Sequence, residues 1–103
     1  MSIKKQYLKS KPVCKVSFKV NAEEANGVKK IQVLGDFNNW NEKAASMKSL
    51  KSGDFTQTIN LEAGKEYQFR YLLDGKVWAN DVAADGKIAN DFNEHNDIVS
   101  TVQ

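Results

Sequence analysis

At 103 residues the chain has room for one domain and not two, and 41% hydrophobic residues suffice for a core, which excludes a disordered chain. A formal net charge of +2 is too small to attract nucleic acid by charge alone. A single cysteine, Cys14, and a single histidine, His95, exclude an internal disulfide and a zinc cluster of Cys and His ligands.

The opening stretch, MSIKKQYLKS, is basic and lacks the apolar run of a secretory signal. No apolar run approaches membrane-spanning length. The expectation is a cytoplasmic protein that contacts neither membrane nor nucleic acid. Residues 1–12 carry Lys4, Lys5, Lys9 and Lys11, with Lys15 just beyond. They read as a basic arm, or as an edge strand whose lysines oppose aggregation; a docking arm for an acidic partner is the alternative.

From residue 13 to residue 103 the pattern is all-β. Val16, Phe18 and Val20 alternate with Lys15, Ser17 and Lys19, one apolar face and one wet face. Turn signals follow at Asn26-Gly27 and Gly35-Asp36, with Ile31 and Val33 on the strand between them. Helix signal is weak, and residues 42–47 hold at most one short turn. Beyond Ser52-Gly53-Asp54, Phe55, Ile59 and Leu61 alternate with Thr56, Thr58 and Asn60. After Ala63-Gly64 comes EYQFRYLL, with Tyr67, Phe69, Tyr71 and Leu73 facing inward and Gln68, Arg70 and Leu72 outward. Asp74-Gly75 predicts a two-residue type I′ hairpin, because both residues tolerate positive φ. KVWAN is the return strand, residues 79–95 read as a long loop, and DIVSTV is the last strand. Short strands punctuated by turns in this way point to a sandwich or barrel.

Catalytic and metal motifs are weak. Asp36, Asp54, Asp74, Asp81, Asp85, Asp91, Glu94 and Asp97 supply carboxylates, but most sit beside Gly or Asn, where turn chemistry accounts for them. No nucleophile elbow or phosphate loop is present, and DFNEHND lacks the glycine and spacing of a calcium loop. No catalytic residue, metal ligand or cofactor is therefore assigned.

Trp40 and Trp78 both fall at turn or loop edges. One reading has each indole cap the core with its N–H in water. The other has them form a sugar platform, the indole covering the apolar face of a pyranose while Arg70 and Asn96 address its hydroxyls.

The motifs VLGDFNNW, the Gly-Asp-Phe strand start, AGKEYQFRYLLDGKVWAND and HNDIVSTV occur in that order. From Val13 to Val102 the chain resembles carbohydrate-binding module family 48, which includes the glycogen-binding domain of the AMP-activated protein kinase beta subunit and early-set domains of isoamylases and branching enzymes. The resemblance implies an immunoglobulin-like, early-set antiparallel β-sandwich that binds α-1,4-glucans without catalysis. It implies sugar contacts by Trp40, Trp78 and Asn96, with Arg70 where the family has a lysine. It places the family's ring-inserting leucine near Phe92 and a contacting threonine near Glu94, where this chain departs. The turn before Trp78 is one residue longer than in the kinase version. The expected partner is an α-glucan polysaccharide or maltooligosaccharide, with a glucan-processing enzyme acting in trans. The alternative is an accessory module that docks such an enzyme or a regulatory partner and binds little sugar. A small glycosidase is a third, weaker option.

Overall fold

The computed structural model describes residues 1–90 and 94–103. Two antiparallel sheets face each other as a sandwich. The first contains β1 (Ser2–Tyr7), β2 (Val13–Val20), β5 (Phe55–Glu62) and β4 (Lys48–Ser49), in the order β1-β2-β5-β4. The second contains β3 (Ile31–Gly35), β6 (Glu66–Leu73), β9 (His95–Ser100) and β8 (Gly86–Ala89), in the order β3-β6-β9-β8. β7 (Val77–Ala79) also pairs with β6.

The alternation of apolar and polar residues explains the core. Val16, Phe18 and Val20 of β2 are fully buried against Ile31 and Val33 of β3, Phe69 and Tyr71 of β6, and Val99 of β9. Phe18 joins the two sheets: its ring meets Phe69 edge-on at 5.2 Å and Tyr71 at 6.4 Å. Burying each such side chain contributes about 1.5–3 kcal/mol. Cys14 is buried in the same cluster and acts as a small hydrophobe.

Four features differ from the sequence-based expectations. A strand, β8, lies inside the stretch read as a loop at residues 79–95; its sequence, GKIA, has little β preference, and pairing with β9 imposes the extended form. The last strand begins at His95, two residues ahead of DIVSTV. A four-residue helix, α1 (Ala22–Ala25), follows β2. Its capping box is complete: Asn21 Oδ1 accepts from the Glu24 amide, and Glu24 accepts from the Asn21 amide. The β6–β7 hairpin, finally, is longer than two residues. Asp74 and Gly75 have φ of 51° and 67°, as a type I′ turn requires, and the Lys76 amide donates to the Leu73 carbonyl. Strand pairing starts only at Leu73 and Val77, so Lys76 is an added bulge residue.

β6 organises everything near the site. One of its edges pairs with β3 over residues 69–73. The other edge pairs with β9 over residues 66–69 and then with β7 over residues 71–73. Arg70 is the residue at which that edge changes partner. The core-facing side of this junction is filled by polar groups. The buried Asp97 carboxylate accepts from the Asp81 amide at 2.6 Å and from Asn80 Nδ2 at 3.3 Å. The buried Asp81 carboxylate accepts from the Tyr71 hydroxyl at 2.7 Å and from the Ala83 amide at 2.8 Å. These bonds anchor the chain leaving β7 against β9. Burial first, then the Asp81 charge, pushes the Tyr71 hydroxyl far above its ordinary pKa, so it stays a donor.

Candidate functional site

The outer face of the second sheet, away from the core, carries the candidate site. Gln68, Arg70 and Leu72 of β6 project there, opposite Ile98, Leu34 and Trp78 respectively on the neighbouring strands. The face was expected to be wet, yet Leu34, Leu72, Gln32 and Arg70 are buried on it. Part of the cover is the segment after Trp40. Gln32 Nε2 donates to the carbonyls of Glu42 and Ala44 at 2.8 and 2.7 Å and ties that segment down.

GDFNNW forms a clamp that aims Trp40. Gly35 is required by space, not by φ: a Cβ there would lie 2.3 Å from the Gln68 carbonyl oxygen. A 3-10 turn (Asp36–Asn38) follows. Asn38 closes it, its Oδ1 accepting from the Gly35 amide and its Nδ2 donating to the Val33 carbonyl. Asp36 uses both oxygens. Oδ2 accepts from the Gln68 amide at 2.8 Å, and Oδ1 accepts from the Trp40 indole N–H at 3.2 Å. Asn39 and Trp40 are left-handed, with φ of 57° and 55°. Asparagine tolerates that region; in a bulky residue it costs on the order of 1–3 kcal/mol, and such strain concentrates at functional sites.

Trp78 reaches the same place by strand register. It stands opposite Leu72, on the face shared with Arg70. The guanidinium of Arg70 lies 5.4 Å from the Trp78 ring centroid, in cation–π range. The two indoles are neighbours, with centroids 6.2 Å apart and planes inclined at 59°. Neither belongs to the core cluster; Trp40 is half-buried and Trp78 is 36% exposed.

Together they border a groove of about 550 Å³ lined by Trp40, Arg70, Trp78, Asn90, Glu94 and Asn96. All four residues singled out from sequence, Trp40, Arg70, Trp78 and Asn96, therefore share one surface. Asn96 Nδ2 donates to Gln68 Oε1 at 3.1 Å, and its Oδ1 accepts from Asn90 Nδ2 at 3.1 Å. Among the described residues, one N–H and one lone pair of Asn96 stay unused. Arg70 Nη1 donates to Glu94 Oε1 at 3.2 Å, while its buried Nε finds no hydrogen-bond partner among the described residues. Phe92 lies outside the described residues. Asn90 and Glu94 complete the lining, and Asn90 was hidden in a run of Asn and Asp that reads as loop. Among the described residues no group of three or more His, Cys, Asp or Glu side chains is placed to hold a metal, and no helix is long and apolar enough to cross a membrane.

Fold and groove define a class: a small antiparallel β-sandwich with an aromatic groove on the outer face of one sheet. The family model of the glycogen recognition site of AMP-activated protein kinase matches residues 19–103, and the chain belongs to that family. Among solved structures, the enterobactin esterase FES from Shigella flexneri, solved in the presence of 2,3-di-hydroxy-N-benzoyl-glycine, shares the fold. It does so with a TM-score of 0.70 over 96% of this chain, at 12% identity. The chain spans 32% of that protein's length. The comparison with curated proteins finds no match.

Proposed function

We propose that the chain is a non-catalytic module that binds α-1,4-glucan in the aromatic groove, with glucose units stacked on Trp40 and Trp78. The observation that carries this reading is the pairing of two accessible indoles, 6.2 Å apart, with Arg70 and Asn96 in one groove. The 59° inclination of the rings makes a bent platform, which suits the curvature of an α-1,4-linked chain better than a flat one. Asn96 and the Arg70 fork supply the polar contacts that fix orientation within an apolar surface. Membership of the glycogen recognition family supports the same ligand class.

Stacking contributes on the order of 1–3 kcal/mol per ring, by analogy with bases on aromatic side chains. The groove is open, so a short oligosaccharide binds at roughly micromolar to millimolar strength, and a polymer gains through repeated sites. A binding role also fits the occupation of the carboxylates. Asp36 serves the Trp40 clamp, Asp54 the Ala22 amide, Asp74 the amides of Lys29 and Lys30, and Asp85 the Ser100 amide. The test is electrophoresis through a native gel containing glycogen. Wild type is retarded; Trp40→Ala and Trp78→Ala migrate freely while keeping the wild-type circular dichroism. An unretarded wild type overturns the reading.

A second reading, docking of a glucan-processing enzyme or regulatory partner, draws on the outer face of the first sheet. There Lys4 and Lys15 stand exposed beside Ser17 and Thr58, on the opposite side of the sandwich from the groove. It requires that Lys4→Glu with Lys15→Glu abolish partner capture and that Trp40→Ala leave capture intact.

A further inference from the structure

We propose that Glu94 sets the charge selectivity of the groove, admitting neutral glucosyl chains and turning away chains that carry phosphate esters. The inference rests on the glucan reading above and narrows its ligand class. It starts from an asymmetry in the Arg70–Glu94 pair. The Arg70 side chain is 8% exposed and the Glu94 side chain 56%, so the cation is sunk in the wall and the anion stands at the opening. Arg70 is the one cationic side chain among the described residues that line the groove, and its charge is already offset at 3.2 Å by Glu94. Its flat face is taken up by Trp78. An arriving ligand therefore meets the negative end of this ion pair, with the cation set behind it.

Two bonds hold the main chain of Glu94 at the groove, and Arg70 holds its carboxylate. The Asn90 amide donates to the Glu94 carbonyl at 3.1 Å, and the Glu94 amide donates to Asn90 Oδ1 at 3.3 Å. A second carboxylate, Asp36, is exposed and accepts from the Trp40 indole N–H at 3.2 Å, although it does not line the groove. A glucose hydroxyl can donate to Glu94 and accept from Asn96. A phosphate ester brings about −1.5 to −2 charges at neutral pH and acceptor oxygens where the groove also presents acceptors. At a wet surface, that repulsion amounts to about a tenfold loss of affinity. Uncharging Glu94 inverts the balance, because Arg70 then has no countercharge and its guanidinium matches phosphate geometry.

The experiment is isothermal titration of maltoheptaose and of its phosphate monoester into wild type, Glu94→Gln and Glu94→Thr. The readout is the ratio of the two affinities in each protein, which a merely structural role for Glu94 would not move. Wild type prefers the neutral sugar by roughly tenfold, and the preference shrinks at high salt. Both variants lower the ratio to about one or below. Equal affinities in wild type, or a ratio unchanged by both substitutions, overturn the role of Glu94 and leave the glucan reading standing. Failure of wild type to bind neutral maltoheptaose overturns the glucan reading and this inference with it.

Discussion

Trp40 is delivered to the groove by a turn fixed through the side chains of Asp36 and Asn38, whereas Trp78 is delivered by the pairing of β7 with β6. The first device is dense in specific contacts and intolerant of change in length or volume. The second depends on which face of a strand a residue occupies, and only a change of register moves it. The bulge at Lys76 shows the difference. The extra residue is absorbed in the turn, Leu73 still pairs with Val77, and Trp78 keeps its face. No such slack exists between Gly35 and Trp40, where the Trp40 amide bonds back to the Gly35 carbonyl at 3.0 Å.

The largest effect is expected at Gly35. Gly35→Ala drives a methyl to within 2.3 Å of a backbone oxygen in β6, so β3 and β6 must separate locally. The expected loss is about 3 kcal/mol, read from denaturant unfolding; stability within 0.5 kcal/mol of wild type would show that the clamp has slack. Asp36→Ala ranks second. It removes the acceptor for the Gln68 amide and the one for the Trp40 indole, and costs about 1–2 kcal/mol. Glucan affinity falls with it, because Trp40 is no longer oriented; titration with maltoheptaose measures that loss. The counterpart on the hairpin is mild. Deleting Lys76 leaves Asp74-Gly75 as a two-residue turn with Trp78 still opposite Leu72, so the shortened protein retains glycogen binding and stability within about 1 kcal/mol of wild type.

A further prediction concerns the junction that anchors the end of β7. Asp97 is buried and its Oδ1 has no hydrogen-bond partner among the described residues. Burial, aided by the Asp81 charge, raises its pKa despite the bonds from the Asp81 amide and Asn80. Between the ordinary value of about 3.9 and the raised one, the folded chain therefore holds a proton that the unfolded chain has released. The contribution of this group to stability is complete below that value and is lost as pH rises through the raised pKa. Asp97→Asn keeps an acceptor for the Asp81 amide and removes that dependence. Urea midpoints measured across the acidic range should fall less steeply with rising pH in the variant; parallel profiles would contradict the assignment.

The parts of this molecule that were legible in sequence are those governed by local rules. Alternation along Val16, Phe18 and Val20 marks a half-wet strand because side chains repeat every second residue, and the positive φ that Asp74-Gly75 accepts marks a reversal. Trp40, Arg70, Trp78 and Asn96 stood out as a set by residue type and by resemblance, and one groove holds all four. What stayed hidden depends on long-range pairing. GKIA is a strand only because β9 lies beside it. Arg70 looked like a solvent-facing residue, since alternation reports the face of a sheet and not what covers that face. Asp81 and Asp97 read as turn formers; their burial follows from the change of partner along β6, which no window of sequence encodes. The helix at residues 22–25 did leave a signal, Asn21 with Glu24 three residues on, but four residues are too few for periodicity to register.

The central claim is that both indoles form the glucan-binding surface. It is tested most directly by the two indole N–H resonances of the protein, one for each tryptophan, during titration with maltoheptaose. Both signals are expected to shift in a saturable way with one dissociation constant, Trp40 through the N–H held by Asp36 and Trp78 through the ring face beside Arg70. Two resonances that stay fixed while glycogen still retards the protein would place the binding surface elsewhere and contradict the account.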